Sequence, residues 1–198
     1  SALRGDVEPM QALREIHATA DRATRLANQM LALAKVEQVQ ARGAFSAVAL
    51  ADAVSAAALG LAPLIAAKAL DFELRTTSAS VHGHDWMLRE LASNLLANAV
   101  RETPAQGRLL VAVAHEGGQA VLRISDTGGG LPGGTAAQLF EPFHTRHPTE
   151  GSGLGLAICH TICSALGARL TLSNRLAGSV IIGVDAEVRF PTPGVPVR

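Results

Sequence analysis

Four side chains in the stretch Glu90-Leu-Ala-Ser-Asn94-Leu-Leu-Ala-Asn98-Ala-Val-Arg101 are spaced as one polar stripe. At about 100° per residue a helix puts Glu90, Asn94, Asn98 and Arg101 at roughly 0°, 40°, 80° and 20°, with Leu88, Leu91, Leu95 and Ala99 clustered opposite. A carboxylate, two amides and a guanidinium on one face could hold a hydrated Mg²⁺ with a polyphosphate, because that ion takes oxygen ligands and keeps several waters. An ordinary solvated face would more usually carry Lys and Glu than two Asn.

A second chemical element is Leu122-Arg-Ile-Ser-Asp126-Thr-Gly128-Gly129-Gly130-Leu-Pro132, a strand ending in a carboxylate followed by glycines. An Asp at a strand end can accept a hydrogen bond from an adenine amine, and glycines let backbone approach a ligand closely. Gly128, Gly130 and Gly133 also match the dinucleotide-binding pattern of a Rossmann turn. That alternative is rejected, because Pro132 interrupts the direct turn into a helix and the flanking strands read as hairpins.

In Gly151-Ser152-Gly153-Leu154-Gly155-Leu-Ala-Ile, glycines run straight into an apolar helix whose free amides would meet negative charge. No Gly-Lys-Ser/Thr follows, so this is not a Walker phosphate loop. Between the two glycine segments lie Leu139-Phe140-Glu141-Pro142-Phe143 and a polar run from His144 to Glu150, which suggests a mobile lid.

The elements that must position these groups read as follows. From Leu13, small and apolar residues recur at Ile16, Ala20, Ala23, Ala27, Met30 and Ala34, a heptad seam suited to packing against a helix of a second chain. Gly43 breaks that pattern, so a first unit is expected over 1–42 and a second over 43–198. The second should contain a strand near 45–48, a helix over 51–69, extended segments at 72–76 and 80–82, and a helix over 84–101. Strands near 108–115 and 119–125, a helix over 153–166 and strands near 169–173 and 180–190 complete it. Helices mixed with hairpins in this order indicate an α+β two-layer sandwich.

Composition narrows the function classes. In 198 residues, 48% apolar, Lys plus Arg and Asp plus Glu both number 17, so there is no one-sided basic field for nucleic acid. The most apolar window, Ala56 to Ala67, is too short to cross a membrane, and the N-terminus lacks a signal pattern and reads as cut from a longer chain. Cys159 and Cys163 read as core thiols of a reducing compartment.

In this order and spacing the segments resemble the N, G1, F and G2 boxes of the ATPase domain shared by histidine kinases, gyrase, Hsp90 chaperones and MutL, the Bergerat-type ATP-binding fold. The Phe140 and Phe143 element, the Gly151–Ala157 run and the Arg101-Glu102-Thr103-Pro104 end of the N box resemble the sensor histidine kinase branch. The heptad helix is similar to the second helix of its dimerisation domain.

The resemblance implies ATP and Mg²⁺ as cofactors. Glu90 would orient the reacting groups, Asn94 would ligate Mg²⁺, and Asn98 and Arg101 would face the phosphates. Asp126 would select adenine, Gly128 and Gly130 would line the base pocket, and Phe143, Ser152, Gly153, Leu154 and Gly155 would close over the phosphates. It also implies a response regulator as partner, a homodimer through the N-terminal helix, and a cytoplasmic location in an inner-membrane sensor.

None of the seven histidines, His17 included, has the family's acceptor setting, so the phosphoryl group would go to a histidine absent from this chain. Two departures stand out: Glu102 occupies the place of an aromatic that stacks on the base, and Thr127 and Gly129 replace a common Asn and Pro. An alternative function is therefore a scaffold with the ATPase fold but no kinase activity. An insertion-like stretch from Gly178 to Gly183 obscures the last strand.

Overall fold

The computed structural model describes residues 45–131, 139–140 and 154–192, and in the N-terminal segment residues 11, 16, 19, 20, 23, 27, 30–32 and 34–39. Those N-terminal residues are all helical and form α1. Strand β1 (Ser46–Ala49) leads into α2 (Leu50–Ala67), followed by β2 (Asp71–Thr76), β3 (Ser80–Gly83) and α3 (Asp85–Glu102). Then come β4 (Arg108–Glu116), β5 (Gln119–Asp126), α4 (Gly155–Ala165), β6 (Arg169–Ala177) and β7 (Val180–Arg189).

Five strands form one sheet in the order β2-β4-β5-β7-β6, while β1 pairs with β3 in a separate ribbon. Only β2 and β4 run parallel; β4–β5, β5–β7 and β6–β7 are antiparallel. This arrangement is the expected α+β sandwich, and its hairpins exclude the all-parallel Rossmann reading of the glycines.

Alternation sorts the sheet's two faces. Leu122 and Ile124 of β5 and Ala186 and Val188 of β7 are buried with Leu88, Leu91, Leu95, Leu96, Ile158 and Ile162 of the helices. The opposite face carries charge: Arg123 donates to Glu187 at 2.6 Å, and Arg189 donates to Glu116 at 3.0 Å and to Glu187 at 2.6 Å. Helix α2 is longer than its apolar window suggested. Its 18 residues are long and apolar enough to cross a membrane, but Leu50, Ala53, Val54, Ala57, Ala58 and Ile65 are buried in the core beside α3.

Strand β6 runs on to Ala177, so the insertion-like stretch is the end of a long β6–β7 hairpin, with a bulge at Arg175/Leu176. Among the described residues of α1, Ala32, Val36 and Val39 are buried and join the main core, and Lys35 Nζ lies 4.2 Å from the centre of the Trp86 ring. The described seam residues Ile16, Ala20, Ala23, Ala27, Met30 and Ala34 are exposed in the single chain.

Candidate functional site

The polar stripe forms as its periodicity predicts. Leu88, Leu91, Leu95 and Ala99 are buried, whereas Glu90, Asn94, Asn98 and Arg101 are half-buried on the other face of α3. The helix starts where the His84 imidazole accepts a hydrogen bond from Trp86 N–H at 3.2 Å. It ends with Thr103, whose hydroxyl donates to the Ala99 carbonyl at 2.6 Å.

Along the stripe the side chains orient one another. Asn94 Nδ2 donates to the Glu90 carbonyl at 2.9 Å and to Glu90 Oε1 at 2.8 Å. Both amide protons are thereby held, and the amide oxygen is turned outward toward α4: a β-carbon built on Gly155 would lie 3.2 Å from Asn94 Oδ1. Arg101 donates to Asn98 Oδ1 through Nη2 and to Glu102 Oε1 through Nε at 3.2 Å. Glu102 is thus tied into the charged end of the stripe.

The carboxylate at the end of β5 is fixed by backbone. Asp126 is 5% exposed, and its Oδ1 accepts from Gly128 N–H at 2.8 Å and from Val184 N–H at 3.2 Å. Burial pushes this carboxyl above the usual aspartate range, with the two N–H groups pulling the other way. Among the described residues both side-chain hydrogen bonds fall on Oδ1, so Oδ2 is the oxygen with capacity to accept from a ligand.

Gly128 packs against the end of α3, where a β-carbon would lie 2.8 Å from the Glu102 carbonyl oxygen. Gly130 has φ of 84°, and a β-carbon there would lie 2.6 Å from Ile181 Cγ2. Leu131 N–H then donates to Asn174 Oδ1 at 2.7 Å.

The structure therefore brings Gly155 to the Asn94 side chain and Gly128 to the Glu102 carbonyl, so one glycine segment meets the polar face of α3 and the other its C-terminal end. Asn94 and Glu102 are eight residues apart, about 12 Å along a helix. Leu154 is buried at the start of α4. Phe143, Ser152 and Gly153 lie outside the described residues, as do His17 and the polar run from His144 to Glu150. Phe140 is described, its ring 5.4 Å from that of His160 on α4.

Two residues at this site escaped the sequence reading. Gly183 of β7 lies against Asp126, and Arg175 Nη1 donates to the Asp126 carbonyl at 2.9 Å. An isolated glycine inside a strand pattern signals close backbone approach, so Gly183 had a local cue. Arg175 had none.

Among the described residues no group of three or more His, Cys, Asp or Glu could hold a metal ion. The donor set fits an ion carried largely by phosphate and water, with one outward amide oxygen from Asn94.

Residues 83–193 match the family described as histidine kinase-, DNA gyrase B-, and HSP90-like ATPase. The sensor protein CutS of Streptomyces coelicolor is 39% identical over 125 residues, covering 59% of this chain and 30% of CutS. The sensor protein kinase PmrB of Pseudomonas aeruginosa is 30% identical over 182 residues, covering 90% of this chain and 38% of PmrB. This chain therefore spans about a third of the length of these curated relatives. Among solved structures, the Acinetobacter baumannii histidine kinase AdeS superposes with a TM-score of 0.77 at 22% identity, over 98% of this chain and 90% of that one.

Proposed function

This chain belongs to the histidine kinase-, DNA gyrase B-, and HSP90-like ATPase family, within which it matches the ATP-binding catalytic regions of sensor histidine kinases, and from that premise we propose how its residues act. The reaction is transfer of the ATP γ-phosphoryl group to a histidine on a helix outside this sequence. The observation that carries this is that Gly155 lies against Asn94 while Gly128, hydrogen-bonded to Asp126, lies against the C-terminal end of the same helix α3.

Asp126 accepts the adenine amine on Oδ2, and its backbone-fixed Oδ1 keeps it oriented. Asn94 offers its amide oxygen to Mg²⁺ because Glu90 holds its NH₂ group. When bound, Mg²⁺ neutralises charge on the phosphates. Arg101 and Asn98 bind phosphate oxygens. Gly155, at the start of α4 beside Asn94, lines the phosphate end of the site. Glu90 orients the acceptor, and positioning with charge neutralisation supplies most of what phosphoryl transfer needs.

We further read residues 1–42 as the end of a dimerisation unit and 43–198 as the catalytic domain. The exposed seam from Ile16 to Ala34 supports pairing with a second copy in the full-length protein. The partner is a response regulator, and the setting is the cytoplasmic side of an inner-membrane sensor. Incubating the chain with labelled ATP, Mg²⁺ and a supplied acceptor helix should label that helix on histidine. ATP binding without labelling would favour the scaffold, the reading that Glu102 in place of a stacking aromatic keeps open.

A further inference from the structure

Lys68, just after α2, has no part in the chemistry above, yet it reaches the end of α3. Its Nζ donates to the carbonyl oxygens of Val100, Arg101 and Thr103, each at 2.8 Å. Its own carbonyl accepts from Gln106 N–H at 2.9 Å. A helix leaves its last carbonyls without intrahelical partners and concentrates partial negative charge there. A tetrahedral ammonium with three N–H groups matches a fan of three carbonyls, which a planar guanidinium does not.

The backbone held in this way is the platform of the Asp126–Gly128 turn. Thr103 is fully buried, and Gly107 N–H donates to the Pro104 carbonyl at 2.9 Å. A β-carbon on Gly107 would lie 2.6 Å from Thr103 Cγ2 and 2.8 Å from Thr127 Oγ1. Arg108 N–H donates to the same Thr127 hydroxyl at 2.9 Å, and Gly128 sits on the Glu102 carbonyl. One ammonium therefore ties down the turn that carries Arg101 and the surface against which the adenine-side turn packs.

Resting on the nucleotide-binding reading above, we propose that Lys68 is a positioning residue that registers the last turn of α3 against the Asp126–Gly128 turn, and so sets both affinity for ATP and preference for adenine. Calorimetric titration with Mg-ATP and Mg-GTP tests it on the parent chain, Lys68→Met, Lys68→Arg and Val81→Ala. The last is a core truncation in β3 that serves as a stability control.

Lys68→Met is expected to bind ATP about tenfold more weakly and to narrow the ATP-over-GTP ratio. Lys68→Arg should fall in between, and folded Val81→Ala should keep parent values. Parent affinity and parent selectivity in Lys68→Met would overturn the proposal while leaving the nucleotide reading intact. So would a loss that merely tracks the lowered melting temperature and is shared by Val81→Ala. A parent chain that binds no ATP overturns both. If Lys68→Met does not fold, Lys68→Arg decides, and parent-like selectivity there sinks the idea.

Discussion

Gly183 and Asp126 lie backbone against backbone: a β-carbon on Gly183 would sit 1.8 Å from the Asp126 carbonyl oxygen. Its φ of 148° is also one that L side chains rarely adopt. This contact seats the next residue, Val184, so that its N–H reaches the Asp126 carboxylate. The setting of the Asp126 carboxylate is thus built from β7 as much as from β5.

Gly183→Ala is therefore expected to lower stability by about 3 kcal/mol through overpacking and backbone strain, and to remove ATP binding. Gly129→Ala is the control, since a β-carbon there meets nothing within 4 Å. Urea unfolding and calorimetry on both variants check the contrast; equal effects would refute it.

Asp126→Asn should separate binding from stability. An amide oxygen can keep the bonds from Gly128 and Val184, which would turn the NH₂ group toward the proposed adenine amine, donor against donor. ATP affinity is expected to fall by about tenfold or more.

The pH dependence of that variant has a definite sign. Because the folded Asp126 carboxyl titrates above its unfolded value, its contribution to stability is largest where it is protonated and declines as pH rises through the unfolded value to the folded one. The asparagine variant should thus gain stability relative to the parent as pH rises from the ordinary aspartate range through the raised folded value. Melting temperatures across that range test this, and an asparagine variant that loses stability relative to the parent as pH rises would contradict it.

Glu90→Gln and Asn94→Ala should divide the reaction differently. Removing the Asn94 amide oxygen is expected to weaken Mg-ATP binding. Glu90→Gln should leave binding within a few-fold but slow transfer to a supplied acceptor helix by about a hundredfold, the scale of a lost orienting or proton-accepting group. Calorimetry and labelled-phosphate transfer, run in parallel, read the two effects.

The cysteines should be silent in the native state. Cys159 and Cys163 are buried, and burial pushes the Cys163 thiol up to about 12 and Cys159 well above its ordinary value. Since the thiolate is the nucleophile, neither should react with a thiol reagent near pH 8 until the chain is unfolded in urea. Stoichiometric labelling of native protein would disprove the burial.

Much of the site was legible in the chain itself because helical periodicity is local. The spacing of Glu90, Asn94, Asn98 and Arg101 determines a common face once α3 forms, and the leucines between them determine which face is buried. Turn chemistry is equally local, so the glycines after Asp126 and before α4 announced close backbone approach. Strands β4 and β5 were readable from their alternation to within a residue or two. Tertiary structure alone decided which segments meet. The sheet order β2-β4-β5-β7-β6 brings Gly183 and Arg175 to Asp126, and packing of α2 on α3 brings Lys68 to three distant carbonyls. Such contacts depend on strand order and on the crossing of packed helices, both set by burial of the whole core and not by any residue's neighbours in the chain.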